Sequence, residues 1–174
     1  MDRRSVIKAC LTISAGAFLL PSCMEDRSKS TILLKNLQIS GEQEQMLAEL
    51  AETIIPKTNT PGAKDVSAHL FALMMVDDCY KKEDQQKFMA GLSQFKELCK
   101  KRFDTPFLKC KPEQKAALLK DLEAKKDMPE ELLAFYGITK RRTIQAFTQS
   151  QFFLTSVEVY KLVPEKWQGC AAVA

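Results

Sequence analysis

The sequence predicts an all-α domain, a compact bundle of five or six helices preceded by a signal peptide and a linker. Three observations carry this expectation. Apolar residues recur at spacings of three and four in successive stretches between residues 40 and 162, as they do on the buried face of a helix. The seven prolines and six glycines fall mostly between those stretches. A hydrophobic content of 45% with 28% charged residues is that of an ordinary globular domain, and 174 residues suffice for one core. The expected division is a signal peptide at 1–22, a linker at 23–39 and a helical domain at 40–174.

The N-terminus reads as a targeting segment. Arg3 and Arg4 precede an apolar pair and Lys8, the arrangement of a twin-arginine export signal, which a receptor reads and which does not anchor. The apolar run Ala9–Leu20 is short of the roughly 20 residues that span a bilayer. It ends at Leu20-Pro21-Ser22-Cys23, which resembles a lipoprotein signal-peptidase box in which Cys23 becomes the acylated first residue; Pro21 departs from the usual small or apolar residue there. A competing reading, an amphipathic N-terminal helix, leaves the arginine pair and the polar stretch after Cys23 without a role. The expected location is therefore outside the cytoplasm, in the periplasm or on the outer membrane, with membrane attachment through a lipid on Cys23. Loss of residues 1–22 lowers the net charge from +4 to about +2, too little for a nucleic-acid binder.

The elements follow in order. Residues 24–39 begin with the polar run Arg27–Thr31, suited to a tether, and Ile32-Leu33-Leu34 forms a short strand or packs on the domain. Ser40 with Gln43 is a capping-box pattern opening a first helix whose stripe is Met46, Leu47, Leu50, Ala51 and Ile54. Pro56 ends it, since proline lacks the N–H and disfavours a helical residue before it. Asp65 is placed to cap a second helix carrying Leu70–Val76, seven apolar residues in a row that suggest burial nearly all round. A third helix, about Asp84 to Phe103, aligns Phe88, Leu92, Phe95, Cys99 and Phe103. A fourth starts at Pro112 and buries Ala117, Leu118 and Leu122. A short fifth runs from Pro129 to Tyr136 and stops at Gly137, and a last spans Thr139 to Leu162 with Ile144, Phe147, Leu154 and Val157 inward.

Four of the six cysteines, Cys79, Cys99, Cys110 and Cys170, fall in the domain. In an oxidising compartment they permit two disulfides in three connectivities. Alternatively some are buried apolar residues. Cys79 and Cys99 lie on neighbouring helices with an offset of about 12 residues, roughly 18 Å. That is far beyond the Cα spacing of about 4.4–6.8 Å a disulfide requires. Cys99 with Cys110 is the expected intrachain pair, leaving Cys170 for Cys79 or for a partner.

The most informative stretch is Ile54-Ile55-Pro56-Lys57-Thr58-Asn59-Thr60-Pro61-Gly62-Ala63. Local physics makes it a helix stop, a stiff loop and a restart, with Pro61 fixing φ and Gly62 supplying a positive φ in a tight turn. The stretch also resembles the opening motif of the gluconate 2-dehydrogenase subunit 3 family. Pro112–Leu119 resembles that family's P-E-Q start of a middle helix. Tyr160-Lys161-Leu162-Val163-Pro164 with Trp167-Gln168-Gly169-Cys170 resembles its closing pattern. Two stretches depart from it. Gln149-Ser150-Gln151, with Phe153 three residues beyond Ser150, stands where the family carries T-S-E and a glycine, and Pro164-Glu165 replaces proline-glycine.

The resemblance implies a small, non-catalytic subunit of a membrane-bound sugar or sugar-acid dehydrogenase. Its large partner, of the glucose-methanol-choline type, would hold FAD, and a cytochrome would often take the electrons. The small subunit would bring the export signal and support the partner's folding. The contact residues expected on this reading are Thr58, Thr60, Pro61, Gly62, Trp167 and Gly169. The alternatives are a free-standing exported lipoprotein that binds something else, and an enzyme with no recognisable motif.

The residues themselves carry little chemistry. There is no C-x-x-C-H, G-x-G-x-x-G or Walker loop in the sequence, so neither covalent haem nor a nucleotide has its usual cradle, and no cofactor is assigned to this chain. His69 is the only histidine and reads as a packed residue rather than a metal ligand. Asp77 and Asp78 are adjacent, about 100° apart on a helix, and cannot serve one substrate as a pair. Lys100-Lys101-Arg102 and Lys140-Arg141-Arg142 read as solvated faces. No catalytic residue is assigned.

Overall fold

The apolar stripes become helices in the computed structural model, which describes residues 30–125 and 128–158. The order is α1 (Gly41–Ile54), α2 (Ala68–Cys79), α3 (Lys82–Phe103), a 3-10 turn at Phe107–Lys109, α4 (Pro112–Ala124), α5 (Glu130–Thr148) and α6 (Gln151–Ser156). No strand occurs among the described residues. Arg3, Arg4, Cys23, Trp167, Gly169 and Cys170 lie outside them.

Local rules set the helix ends. Ser40 Oγ accepts from the Gln43 N–H at 3.3 Å, and Gln43 Oε1 accepts from the Ser40 N–H at 2.9 Å, so the capping box forms. Pro112 sits at the start of α4. In α3, Glu83 and Asp84 occupy the first turn and Lys100, Lys101 and Arg102 the last, each matching the helix dipole. The basic run at 100–102 is thus a helix terminus, and Arg102 pairs with Asp121 of α4.

Four expectations are corrected. Gly137 does not end a helix: α5 passes through it, and the break comes at Gln149–Ser150, where Ser150 Oγ accepts from the Phe153 N–H and starts α6. With that register Ile144 and Val157 point outward, at 42% and 55% exposure. On α2 only Ala68, Ala72, Leu73 and Val76 of the apolar residues are buried, while Met74 is 43% exposed, so the helix lies at the side of the bundle. Asp65 does not cap α2, whose preceding residue is Ser67 in the left-handed region with φ of 52°.

The expected linker also behaves differently over its described part. Leu37 and Ile39 are buried, and Ile32 and Leu34 pack against the core. Asp77, on the buried stripe of α2, holds this segment down. Its carboxylate accepts the backbone N–H groups of Lys35, Asn36 and Leu37, each at 2.8 Å, and the Asn36 amide donates to the Asp77 carbonyl. Burial pushes the Asp77 carboxyl up, but the three N–H donors outweigh it and hold its pKa below the ordinary value. Nearer the chain start, the N–H and hydroxyl of Thr31 both donate to Glu44 of α1.

The core is a chain of aromatic rings between α3 and α5. Phe88 meets Phe135 at 5.1 Å between centroids, Phe135 meets Phe95 at 5.7 Å, and Phe95 meets Phe107 at 5.0 Å, all tilted or edge-on as ring quadrupoles prefer. Leu47, Leu50, Leu73, Leu92, Leu118 and Leu122 fill the space around them. The α3–α5 contact is the most extensive in the bundle, and Gly91 permits it. A Cβ there would strike the carbonyl oxygen of Glu131 and stand 2.5 Å from the Phe135 Cβ.

Cys79 is exposed and Cys99 and Cys110 are buried; all three are free thiols, so the expected Cys99–Cys110 bond is not formed in this structure. Cys110 Sγ turns back into the 3-10 turn, donating to the Pro106 carbonyl at 3.5 Å with Thr105 Oγ1 at 3.6 Å. Burial, with some repulsion from Cys110, pushes the Cys99 thiol up to about 12, so it carries almost no thiolate at neutral pH.

Two glycines give opposite expectations. Gly91→Ala should destabilise the fold by about 1–3 kcal/mol through overpacking. Gly137→Ala should stabilise it by about 1 kcal/mol, because nothing lies within 4 Å of an added Cβ and alanine is the better helix former. Urea unfolding of both variants checks the pair. Asp77→Ala should cost on the order of 3 kcal/mol at pH 7 by stranding three backbone donors. Because the folded pKa lies below the unfolded one, this stability is present above about pH 4 and lost as pH falls through the lower folded pKa. The difference between wild type and variant should shrink over that acid range in parallel unfolding curves.

Candidate docking site

The loop between α1 and α2 is built by carboxylates at its two ends. Glu52, in the last turn of α1, accepts from the N–H of Lys57 at 2.8 Å and of Lys64 at 2.9 Å, drawing both sides of the loop onto one side chain. Asp65 accepts from the Gly62 N–H at 2.9 Å and from Lys57 Nζ at 3.0 Å. The Gly62 N–H first and Lys57 second hold the Asp65 carboxyl below its ordinary pKa. The backbone adds Ala63 N–H to the Ile55 carbonyl at 3.0 Å and Thr58 N–H to the Thr60 carbonyl at 3.1 Å.

Gly62 is in this loop for a different reason than the sequence suggests. Its φ is not positive. A Cβ on Gly62 would lie 2.5 Å from Glu52 Oε1 and 2.7 Å from the Lys57 nitrogen, so glycine is required by the close pass of the chain over the Lys57 backbone and the Glu52 carboxylate bound to it. The result is a stiff loop with Gly62 and Ala63 buried and Thr58 and Thr60 exposed, their hydroxyls 3.2 Å apart.

One turn earlier on α1, Glu49 pairs with Lys64 and, at 2.7 Å, with Lys115 of α4. Lys115 is 8% exposed and its ammonium lies 5.3 Å from the centre of the Phe107 ring. Burial pushes the Glu49 carboxyl up, yet the two lysines prevail and hold it below its ordinary pKa. The loop is thereby tied to the core through α1 and α4. His69, behind it, is half-buried; burial lowers its pKa, Glu44 opposes and Lys64 assists, so the neutral ring is favoured. Among the described residues no group of three His, Cys, Asp or Glu could hold a metal.

Beside the loop lies a groove of about 560 Å³. Pro61, Asp65, Val66 and Phe71 line one side and Ala146, Gln149, Ser150 and Phe152 the other. Phe152 and Phe153 stand 6.3 and 6.0 Å from the Phe147 ring, and no residue of α6 is buried. The groove thus joins two stretches about ninety residues apart, 61–71 and 146–152; of the expected loop contacts Pro61 lines it, and Thr58, Thr60 and Gly62 do not. The loop was legible as a candidate. The sequence marks the second wall only as a departure from a pattern, and the helix break at Ser150 that shapes it is signalled by a serine three residues before Phe153.

The pattern described as gluconate 2-dehydrogenase subunit 3 matches residues 41–164, from the first residue of α1 to beyond α6. The chain belongs to this family. Its members are subunits of a dehydrogenase complex, as the family's name states. No curated protein and no solved structure matches the chain. In this member of the subunit 3 family the opening motif is the carboxylate-held loop, and the matched region runs through both walls of the groove.

Gly62→Ala should destabilise the domain by about 1–2 kcal/mol, since the added methyl must displace either the Glu52 carboxylate from its donors or the Lys57 backbone. The effect should be reduced but not abolished in a Glu52→Ala background, where only the Lys57 backbone still stands in the way of the methyl group. Chemical unfolding of the two single variants and the double variant measures this coupling.

Proposed function

We propose that this chain is the non-catalytic small subunit of a membrane-bound, FAD-dependent dehydrogenase of the glucose-methanol-choline type acting on a sugar or sugar acid. It docks on the large subunit through the groove between the 58–63 loop and α6, stabilises it, and escorts it through twin-arginine export. The carrying observation is that the loop bearing the family's opening motif borders a groove: the motif residue Pro61 lines one side, and the half-buried Phe152 of α6 the other. Rigid loops and half-exposed aromatic side chains are what protein interfaces use to bury area without ordering much chain. Trp167 and Gly169, outside the described residues, would add to the contacts with the partner. The FAD belongs to the partner, a cytochrome would be the electron acceptor, and a lipid on Cys23 would hold the pair at the membrane. No helix among the described residues is long and apolar enough to cross a membrane.

The twin-arginine route carries folded cargo, which suits a flavoprotein loaded with FAD before export. Changing Arg3 and Arg4 to lysine should therefore strand the partner flavoprotein in the cytoplasm together with this chain, as fractionation and flavin fluorescence would show. A partner that reaches the periplasm in normal amount while this chain stays inside would rule out the escort role.

A further inference from the structure

Tyr80, Arg141 and Arg142 form a second site, away from the groove. Tyr80 follows α2, and its phenol oxygen accepts from Arg141 Nη2 at 3.0 Å and from Arg142 Nε at 3.2 Å. The Arg142 guanidinium also lies 5.3 Å from the centre of the Tyr80 ring, and its Nη1 donates to Gln145 Oε1. Two guanidiniums therefore converge on one neutral oxygen. Among the described residues neither has a carboxylate within 4 Å, a property shared with several surface lysines; what sets the pair apart is the common phenol oxygen.

These arginines are not needed to finish α2. Its terminal carbonyls at Val76 and Asp77, and that of Tyr80, are taken by the buried Gln85 amide. Nor do they pair with Glu123, which already holds Lys140 and Tyr136. With both its lone pairs engaged, the Tyr80 hydroxyl has a proton left to donate. The remaining nitrogens, Nη2 of Arg142 and Nε and Nη1 of Arg141, have no protein acceptor among the described residues. Two like charges are thus held on one phenol oxygen with three guanidinium nitrogens left to donate, the kind of donor that recognises an oxyanion.

We propose that Tyr80, Arg141 and Arg142 are a carboxylate-binding clamp for an acidic side chain of a protein partner. The choice of a protein source rests on the reading of the chain as a docking subunit. Arginine is enriched at interfaces, and a planar carboxylate matches a guanidinium fork. The bound carboxylate would receive the Tyr80 proton and two guanidinium donors, and would neutralise the repulsion between the arginines.

The full chain is titrated with a hexaglutamate peptide at low salt, and the arginine Nε–Hε resonances are followed by NMR. The Arg141 and Arg142 signals should shift and saturate while that of Arg102 does not. Arg141→Gln should weaken binding about tenfold, the loss of one charge-assisted hydrogen bond. Tyr80→Phe should weaken it by a smaller factor with both arginines still present. Because Arg141 is exposed, its variant keeps the test open if Tyr80→Phe unfolds. Equal peptide binding by all variants, or none by wild type, overturns the clamp. Binding of inorganic phosphate or of phosphatidylglycerol vesicles through the same arginines, without the peptide, overturns the protein occupant. Loss of the flavoprotein in pull-downs by Gly62→Ala but not by Arg141→Gln would refute the clamp and leave the docking subunit standing.

Discussion

The bundle depends on how closely α3 can approach α5. Gly91 lets the backbone at Glu131 and the Phe135 Cβ lie against α3 with no side chain between. That approach brings Phe88 and Phe95 within ring contact of Phe135, and Phe95 in turn reaches Phe107 in the 3-10 turn. Each aromatic ring buried this way contributes roughly 2–3 kcal/mol, so a spacer of one methyl group at Gly91 acts on several of them together. The remaining helices pack around this pair, with α2 along α5 and α1 closing the side that faces α2.

On that scaffold, polar chemistry is used to hold chain segments down rather than to react. Glu52 and Asp65 fix the loop, Asp77 and Glu44 fix the segment before α1, and Gln85 closes the end of α2. All of these anchors except Gln85 are carboxylates accepting main-chain N–H groups, an arrangement that stiffens the backbone; at Asp65 and Asp77 it also holds the carboxyl pKa below its ordinary value. The loop and groove can therefore be exposed without being slack, and an interface that meets a preformed surface loses less entropy on docking.

What the sequence made legible was what depends on near neighbours. Ser40 with Gln43, Pro56 and Pro112 marked helix ends through contacts within one turn, and the stripe Phe88, Leu92, Phe95, Cys99 was read directly from its period. The features that were misread depend on distant partners. Gly62 looks like a turn glycine, but its need arises from the Lys57 backbone and the Glu52 carboxylate, five and ten residues away. Gly137 looks like a helix stop, yet it is simply tolerated inside α5 because α5 is held by its packing. Lys140-Arg141-Arg142 looks like solvated charge until Tyr80, sixty residues earlier, is placed beside it. For Asp77 a signal was present: it stands four residues after Leu73, on the buried stripe, where a carboxylate must find donors. The clamped segment 35–37 could not be named from that signal alone.

The anchoring of residues 31–37 has a consequence for reach. If the chain is tethered by a lipid on Cys23, only seven peptide links separate that residue from Ser30. At full extension these span about 25 Å. Had the domain begun at Ser40, seventeen links would have allowed roughly 60 Å. By fastening Thr31 to Glu44 and residues 35–37 to Asp77, the fold would shorten such a tether. A domain so held would rest within about its own diameter of the bilayer, with the Thr31 side of the bundle turned to the lipid and little freedom to swing away.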